Sequence, residues 1–221
     1  MWVYLMRSIL NCAGQYVNAI SAGAGQRRST SAMLSNGGLG MQTRQHVYTH
    51  GYDSPIGDLS LAVDKSGRVL SIALGGARDW GAGYIVEENK YACGELEYQL
   101  DRYFRGELRE FSLRLRLEGT PFQRTVWSML LKIEYGSTMT YGEIARKIGR
   151  REAARAVGNA VASNPIPLLV PCHRVVPACG GTGNYALRTL EDGSGAESKR
   201  MLLALEGALA QRLFTFSRIS A

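Results

Sequence analysis

The sequence predicts an α+β protein in which a small N-terminal domain, an antiparallel sheet plus one helix, precedes a mainly helical C-terminal domain with a helix-turn-helix. Three observations predict it. Between residues 46 and 74, short stretches of alternating hydrophobicity are separated by turn residues. From residue 120 the apolar residues recur at helical spacing behind capped starts. The charge also changes sign: residues 45–119 carry nine basic and twelve acidic side chains, and residues 120–221 carry thirteen and seven. At 221 residues and 45% hydrophobic the chain is not a disordered one, and it is long enough to bury a real core as one large or two small domains.

The elements follow in order. Residues 1–44 hold four Arg and no acid. With Arg27-Arg28 and the Ser29-Thr30-Ser31 cluster they are similar to an organellar presequence. The apolar stretch Ser8 to Ile20 is too interrupted, by Asn11, Gln15 and Asn18, for a signal peptide. A poorly ordered extension is expected, with folding from near Met41. In the domain expected over residues 45–119, Ser54-Pro55-Ile56-Gly57 is a turn, Leu59 to Val63 a half-buried strand, Asp64-Lys65-Ser66-Gly67 a hairpin turn and Val69 to Leu74 its return strand. Leu96, Leu100, Tyr103 and Phe104 predict a helix from about Gly94 to Arg105, stopped by Gly106. Phe111 to Leu117 alternates with period two and predicts a further strand.

The domain expected over residues 120–221 opens with Thr120-Pro121, an N-cap followed by proline at the first helical position. Val126, Trp127, Leu130 and Ile133 mark a helix ending near Gly136. Two short helices, Tyr141 to Ile148 and about Glu152 to Ser163, flank Gly149-Arg150-Arg151. They fit a helix-turn-helix or a plain helical bundle. Arg146, Lys147, Arg150, Arg151 and Arg155 gather there around one acid, Glu152, where side chains and free backbone N–H groups can meet phosphates. Ala153, Ala154, Ala156, Gly158, Ala160 and Ala162 leave the second helix little bulk, which suits close approach to a groove or tight internal packing equally. The uncharged stretch Ala156 to His173 is too rich in Asn, Gly and Pro for a membrane span.

The four cysteines, at 12, 93, 172 and 179, fit neither a disulfide framework nor a paired zinc motif, so reduced intracellular thiols are expected. His46 and His50 lie in what reads as a strand, and no metal site is expected. Cys172 stands apart. Four of the six prolines fall between Asn164 and Pro177, and a stiff segment presents Cys172 in one place. A thiol with its ordinary pKa of about 8.5 is only slightly ionised at neutral pH, and His173 and Arg174 supply a base and a charge beside it. Neighbouring side chains diverge in regular structure, so proton transfer between Cys172 and His173 has to pass through a turn or a bridging water.

Arg155-Ala156-Val157-Gly158, Asn164-Pro165-Ile166-Pro167 and Pro171-Cys172-His173-Arg174-Val175, in this order and spacing, resemble the signature of the O6-alkylguanine-DNA alkyltransferase family. Thr120-Pro121-Phe122-Gln123 with Val126-Trp127, Thr140-Tyr141-Gly142 with Ile144-Ala145, and Leu205-Glu206-Gly207 extend the likeness over roughly residues 45 to 210. The resemblance implies a DNA-repair methyltransferase that flips an O6-alkylguanine from duplex DNA and takes the alkyl group irreversibly onto Cys172, with O4-alkylthymine a further candidate lesion. It implies that Glu206 orients His173, which reaches Cys172 through water, that Asn164 belongs to the turn before the cysteine, and that Tyr141 donates a proton to the departing base. Tyr185 and Val175, with Tyr141, would line the base pocket. Arg155 would enter the base stack, and the small-residue face of its helix, with Ala156 and Gly158, would enter the minor groove, while Arg150, Arg151 and Lys147 are read from their charge as phosphate contacts. No cofactor is implied. The expected partner is double-stranded DNA carrying alkylated guanine, with no membrane, and a monomer is expected in the cytoplasm, at the nucleoid, or in the nucleus of a eukaryote. The stretch Ala186 to Gly195 departs from the family as an insertion beside the pocket, which puts the placement of Tyr185 and the acceptance of bulky adducts in question. A cysteine hydrolase using Cys172 and His173 is the rival enzyme reading, and a non-catalytic damage-binding protein is the other.

Overall fold

The computed structural model describes residues 44–76, 78–183, 185 and 194–208. The expected extension and the insertion after Tyr185 therefore lie outside the described residues, apart from Arg44, Ser194 and Gly195.

The N-terminal half is a four-stranded sheet covered by one helix. Strands β1 (Gln45–Ser54), β2 (Gly57–Asp64) and β3 (Val69–Leu74) form the expected antiparallel meander. Gly57, at φ 108°, closes the first hairpin, and Gly67, at φ 70°, the second. In that second turn the nearly buried Asp64 accepts the backbone N–H groups of Ser66 and Arg68 at 2.8 and 3.0 Å and pairs with the Arg68 side chain. Leu59, Leu61, Val63 and Ile72 point into the core.

Three details differ from the sequence reading. Strand β4 (Tyr84–Glu88) was not expected. It pairs in parallel with β1, giving the order β3-β2-β1-β4, so the sheet is mixed rather than antiparallel. Its side chains are exposed beyond Tyr84, and an edge strand without a buried face lacks the alternation that reveals one. Helix α1 (Lys90–Phe104) begins four residues before Gly94, because the Asn89 side chain caps it by accepting from Ala92 N at 3.1 Å. Phe111 to Leu117 is extended but forms no strand. It makes a single parallel bridge, Val69 with Leu115, while Gln99 holds Ser112 through side-chain hydrogen bonds. The alternation is still expressed, since Phe111, Leu113, Leu115 and Leu117 pack on the core and Ser112 and Arg114 face outward.

The C-terminal half is mainly helical. Helix α2 (Pro121–Leu130) starts with a complete capping box between Thr120 and Gln123. It ends before Gly136 because Leu131 to Ile133 continue as tight turns. The buried Trp127 donates to the Ala160 carbonyl at 2.8 Å and ties α2 to the helix-turn-helix. Two-residue strand β5 (Met139–Thr140) leads into α3 (Tyr141–Lys147), capped by a Thr140–Glu143 box. Helix α4 (Ala154–Ala162) follows, starting two residues later than Glu152. A 3-10 turn, Cys172–Arg174, runs into β6 (Val175–Val176), which pairs in parallel with β5. Helix α5 (Ser194–Leu205) closes the described chain. One hydrophobic cluster extends from Leu61 and Leu96 through Trp127 and Ile144 to Cys172, so both halves share a core. Among the described residues no helix is long and apolar enough to cross a membrane.

Candidate active site

The segment before Cys172 is held by one side chain. Asn164 Oδ1 accepts from Ile166 N at 3.1 Å and its Nδ2 donates to the Val170 carbonyl at 2.8 Å, spanning the Pro165-Ile166-Pro167-Leu168-Leu169 loop from both sides. The loop is also pinned to the sheet, since Ile72 N donates to the Pro165 carbonyl at 3.0 Å. Leu168 has φ 72°, a left-handed conformation that a leucine adopts at a cost, and its buried side chain compensates by filling the core. Pro171 then turns the chain, and the Cys172–Arg174 turn places the thiol, the imidazole and the guanidinium in three directions. All three side chains are buried.

Glu206 is the hub behind this turn. Its Oε1 accepts from His173 Nε2 at 2.9 Å, from Arg174 Nη2 at 2.9 Å and from Tyr103 Oη at 2.7 Å. Its Oε2 accepts from Arg174 Nε at 2.9 Å and from the Gly136 amide at 3.3 Å. Burial alone would raise the Glu206 carboxyl, but the His173 and Arg174 interactions outweigh it and hold the group at about 2. Burial also dominates at His173 and keeps its pKa below the ordinary value, against the pull of Glu206. His173 is therefore neutral, with Nε2–H donating to the carboxylate and Nδ1 left as an acceptor. Nδ1 is buried and has no protein hydrogen-bond partner.

The Cys172 thiol is pushed up by burial. The Asn164 side chain, the Lys199 charge, the Tyr185 hydroxyl and the backbone N–H of Cys172 act in the opposite direction. At rest the sulfur is a protonated thiol among groups that favour the anion. Tyr185 is buried beside it, and its ring meets His173 edge-on at 6.3 Å between centroids. Val175 is fully buried, and its carbonyl accepts from Lys199 Nζ at 2.7 Å.

The structure thus brings Cys172, His173, Glu206, Asn164 and Tyr185 together and separates out one expected contributor. Arg174 does not supply the charge beside the thiol, because its guanidinium is committed to Glu206 and the Ile133 carbonyl. Lys199, 1% exposed on α5, takes that place. Lys199 and Tyr103 were missed. Each sits at a helical position that the sequence marks as ordinary surface or ordinary core, and only burial of the cation or a partner for the hydroxyl reveals them. Tyr141 sits at the start of α3, half-buried, and its ring lies against Gly158, where an added Cβ would meet it at 3.9 Å. Of the other cysteines, Cys93 is free and buried. His50 faces Glu97 at 3.7 Å.

On the outer face, Arg146, Lys147, Arg150, Arg151, Arg155, Ala156 and Asn159 are exposed, while Val157, Ala160 and Val161 pack inward. Helix α4 has no side-chain cap on its first N–H groups. An uncapped helix start ringed by arginines is suited to an anion.

The model of the 6-O-methylguanine DNA methyltransferase ribonuclease-like domain matches residues 47–117, and that of the 6-O-methylguanine DNA methyltransferase DNA binding domain matches residues 121–208. The methylated-DNA–protein-cysteine methyltransferase of Methanosarcina acetivorans is 43% identical over 157 residues, covering 71% of this chain and 96% of that protein. That of Mycobacterium leprae is 44% identical over 163 residues, covering 72% and 92%. Among solved structures, the Mycobacterium tuberculosis O6-methylguanine methyltransferase superposes with a TM-score of 0.64 at 41% identity, covering 73% of this chain and 93% of that one. The Mycobacterium tuberculosis OGT in complex with DNA superposes at 0.63, also at 41% identity, covering 74% and 93%.

Proposed function

The chain belongs to the 6-O-methylguanine DNA methyltransferase family, the methylated-DNA–protein-cysteine methyltransferases, and from that premise we propose that it repairs duplex DNA by accepting the O6-alkyl group of guanine on Cys172. The observation that carries this reading is the buried Cys172–His173–Glu206 arrangement. A neutral imidazole is fixed by a carboxylate at Nε2 and offers an otherwise unpartnered Nδ1 next to the thiol segment.

The transfer is a displacement at carbon. The Cys172 proton passes to His173 Nδ1 through a water, and the imidazolium is stabilised by Glu206. The sulfur electron pair forms the S–C bond as the C–O6 bond breaks, and its electrons move onto the guanine. Tyr141 supplies the proton that neutralises the departing base. Burial keeps the free thiol protonated, so the thiolate is generated only when the site is engaged. The thioether product has no hydrolysable bond, so each molecule acts once.

Reaching O6 requires the base to leave the stack, which costs a few kcal/mol and least for a mispaired lesion. Arg155, exposed on the small-residue face of α4, is the side chain proposed to fill the gap, and Arg150, Arg151 and Lys147 to hold phosphates. Tyr185 and Val175 would form the wall of the pocket. A relative solved in complex with DNA supports DNA as the partner. O4-alkylthymine, with the same alkoxy-heterocycle chemistry, is the second candidate lesion.

Incubation with duplex DNA carrying radiolabelled O6-methylguanine tests the proposal. Label should become covalently attached to Cys172 with a yield approaching one per protein, and Cys172→Ser should abolish transfer while keeping DNA binding. Continued turnover, or label that remains on DNA, would refute it.

A further inference from the structure

The carboxylate that orients His173 is itself held by the N-terminal half. Tyr103, in the last turn of α1 and 0% exposed, donates to Glu206 Oε1 at 2.7 Å, the same oxygen that accepts His173 Nε2 at 2.9 Å. The tyrosine ring is locked by neighbours, with centroids 5.3 Å from Phe111, 5.5 Å from Phe104 and 6.3 Å from Tyr135. A rigid ring at the end of a packed helix presents its hydroxyl at one point.

We propose that Tyr103 is a positioning residue of the alkyl-transfer reaction, fixing the Glu206 oxygen shared with His173 and moderating that oxygen's pull on the imidazole proton. The inference rests on the reading of Cys172 as the alkyl acceptor. A carboxylate oxygen whose lone pairs serve several donors is a weaker acceptor for each of them. With the hydroxyl removed, Glu206 Oε1 would interact more strongly with the imidazole and favour its charged form. An imidazole that is already charged cannot take the Cys172 proton. The other groups around the pair are Arg174 and the Gly136 amide on Glu206, Lys199, Cys172 and Tyr185 near His173, and Tyr135 with Arg109 over its ring. Tyr103→Phe leaves all of them in place.

Single-turnover transfer from O6-methylguanine duplex, measured from acid to alkaline pH, is the test. For Tyr103→Phe the acid limb of the pH profile should move upward by about one pH unit, so that the rate constant falls about tenfold on that limb and by at most about threefold at neutral pH, with duplex affinity unchanged. Phe111→Leu loosens the same ring packing and keeps the hydroxyl, so it should retain the wild-type limb. The inference is overturned if folded Tyr103→Phe transfers at the wild-type rate with the wild-type limb, or if Phe111→Leu reproduces its behaviour. Should Tyr103→Phe not fold, nitrogen NMR of the wild-type His173 ring decides: a neutral ring protonated at Nε2 at pH 7 is expected, and an imidazolium overturns the idea. Wild-type labelling at Cys172 separates the two levels. Unlabelled wild type removes both readings, whereas labelled wild type with an indifferent Tyr103→Phe removes this one alone.

Discussion

Replacing Glu206 with Gln should destabilise the protein at neutral pH and hardly at all in strong acid. In the folded state the carboxyl is held at about 2, against an ordinary 4.5. Folding is linked to such a group through the difference in protons bound, at about 1.4 kcal/mol for each tenfold change in proton affinity. Part of the lowering requires a charged His173, and with the imidazole neutral the contribution at pH 7 is about 2–3 kcal/mol. The sign follows from the depressed value. The stabilisation is fully present above pH 4.5 and is lost as pH falls toward 2. His173, held below its ordinary value by burial, adds a loss in the same direction that begins as pH drops below about 6.5. Gln keeps the shape but leaves the buried Arg174 without its counter-charge, which is the physical source of that loss. Urea unfolding of wild type and Glu206→Gln at several pH values between 7 and 2 is the assay. The difference should be about 2–3 kcal/mol at pH 7, or roughly 5–10 °C in Tm for a protein of this size. It should shrink toward zero as pH falls to about 2 and below, where the wild-type carboxyl itself takes up its proton. A difference that stays constant over that range would refute the assignment of Glu206 as the charged hub.

Other substitutions probe the interface and the scaffold. Arg155→Ala should slow repair of duplex substrate more than reaction with the free alkylguanine base, and equal losses in the two transfer assays would remove its role in the stack. Arg150→Ala with Arg151→Ala should weaken duplex binding regardless of sequence and flatten its salt dependence by up to about 1 in logarithmic slope for each phosphate no longer neutralised, read from binding titrations at several salt concentrations. Gly136→Ala should be strongly destabilising in thermal melts, because the residue sits at φ 76° and a Cβ there would lie 2.8 Å from the Glu206 carbonyl oxygen. Thr140→Ala should cost about 1 kcal/mol of unfolding free energy by opening the box that starts α3.

Much of the site could be read in the sequence because its signals are local. Proline spacing marks the rigid run into Cys172, threonine followed three residues later by Gln or Glu marks two helix starts, and basic residues clustered about one glycine mark the turn before α4. Alternation over Phe111 to Leu117 correctly indicated which residues face inward. It could not indicate whether a neighbouring strand was there to pair with, and only Val69 was. Strand β4 escaped because it is an exposed edge whose identity depends on β1, a partner about 40 residues away in sequence.

The sequence by itself determined the family, the stiff run that presents Cys172, the histidine beside it and the cluster of positive charge around the turn before α4. These rest on residue type and spacing, which backbone geometry translates directly into position. Only the tertiary structure decided what each charge is for. Arg174, adjacent to Cys172 in the chain, turns away to neutralise Glu206, while Lys199 is brought beside the thiol and Tyr103 reaches the same carboxylate from the other half of the molecule. Burial and partner choice arise from long-range packing in a low-dielectric core, where an ion must find its counter-charge and a hydroxyl its acceptor. Neighbours in sequence carry little information about which ones they find.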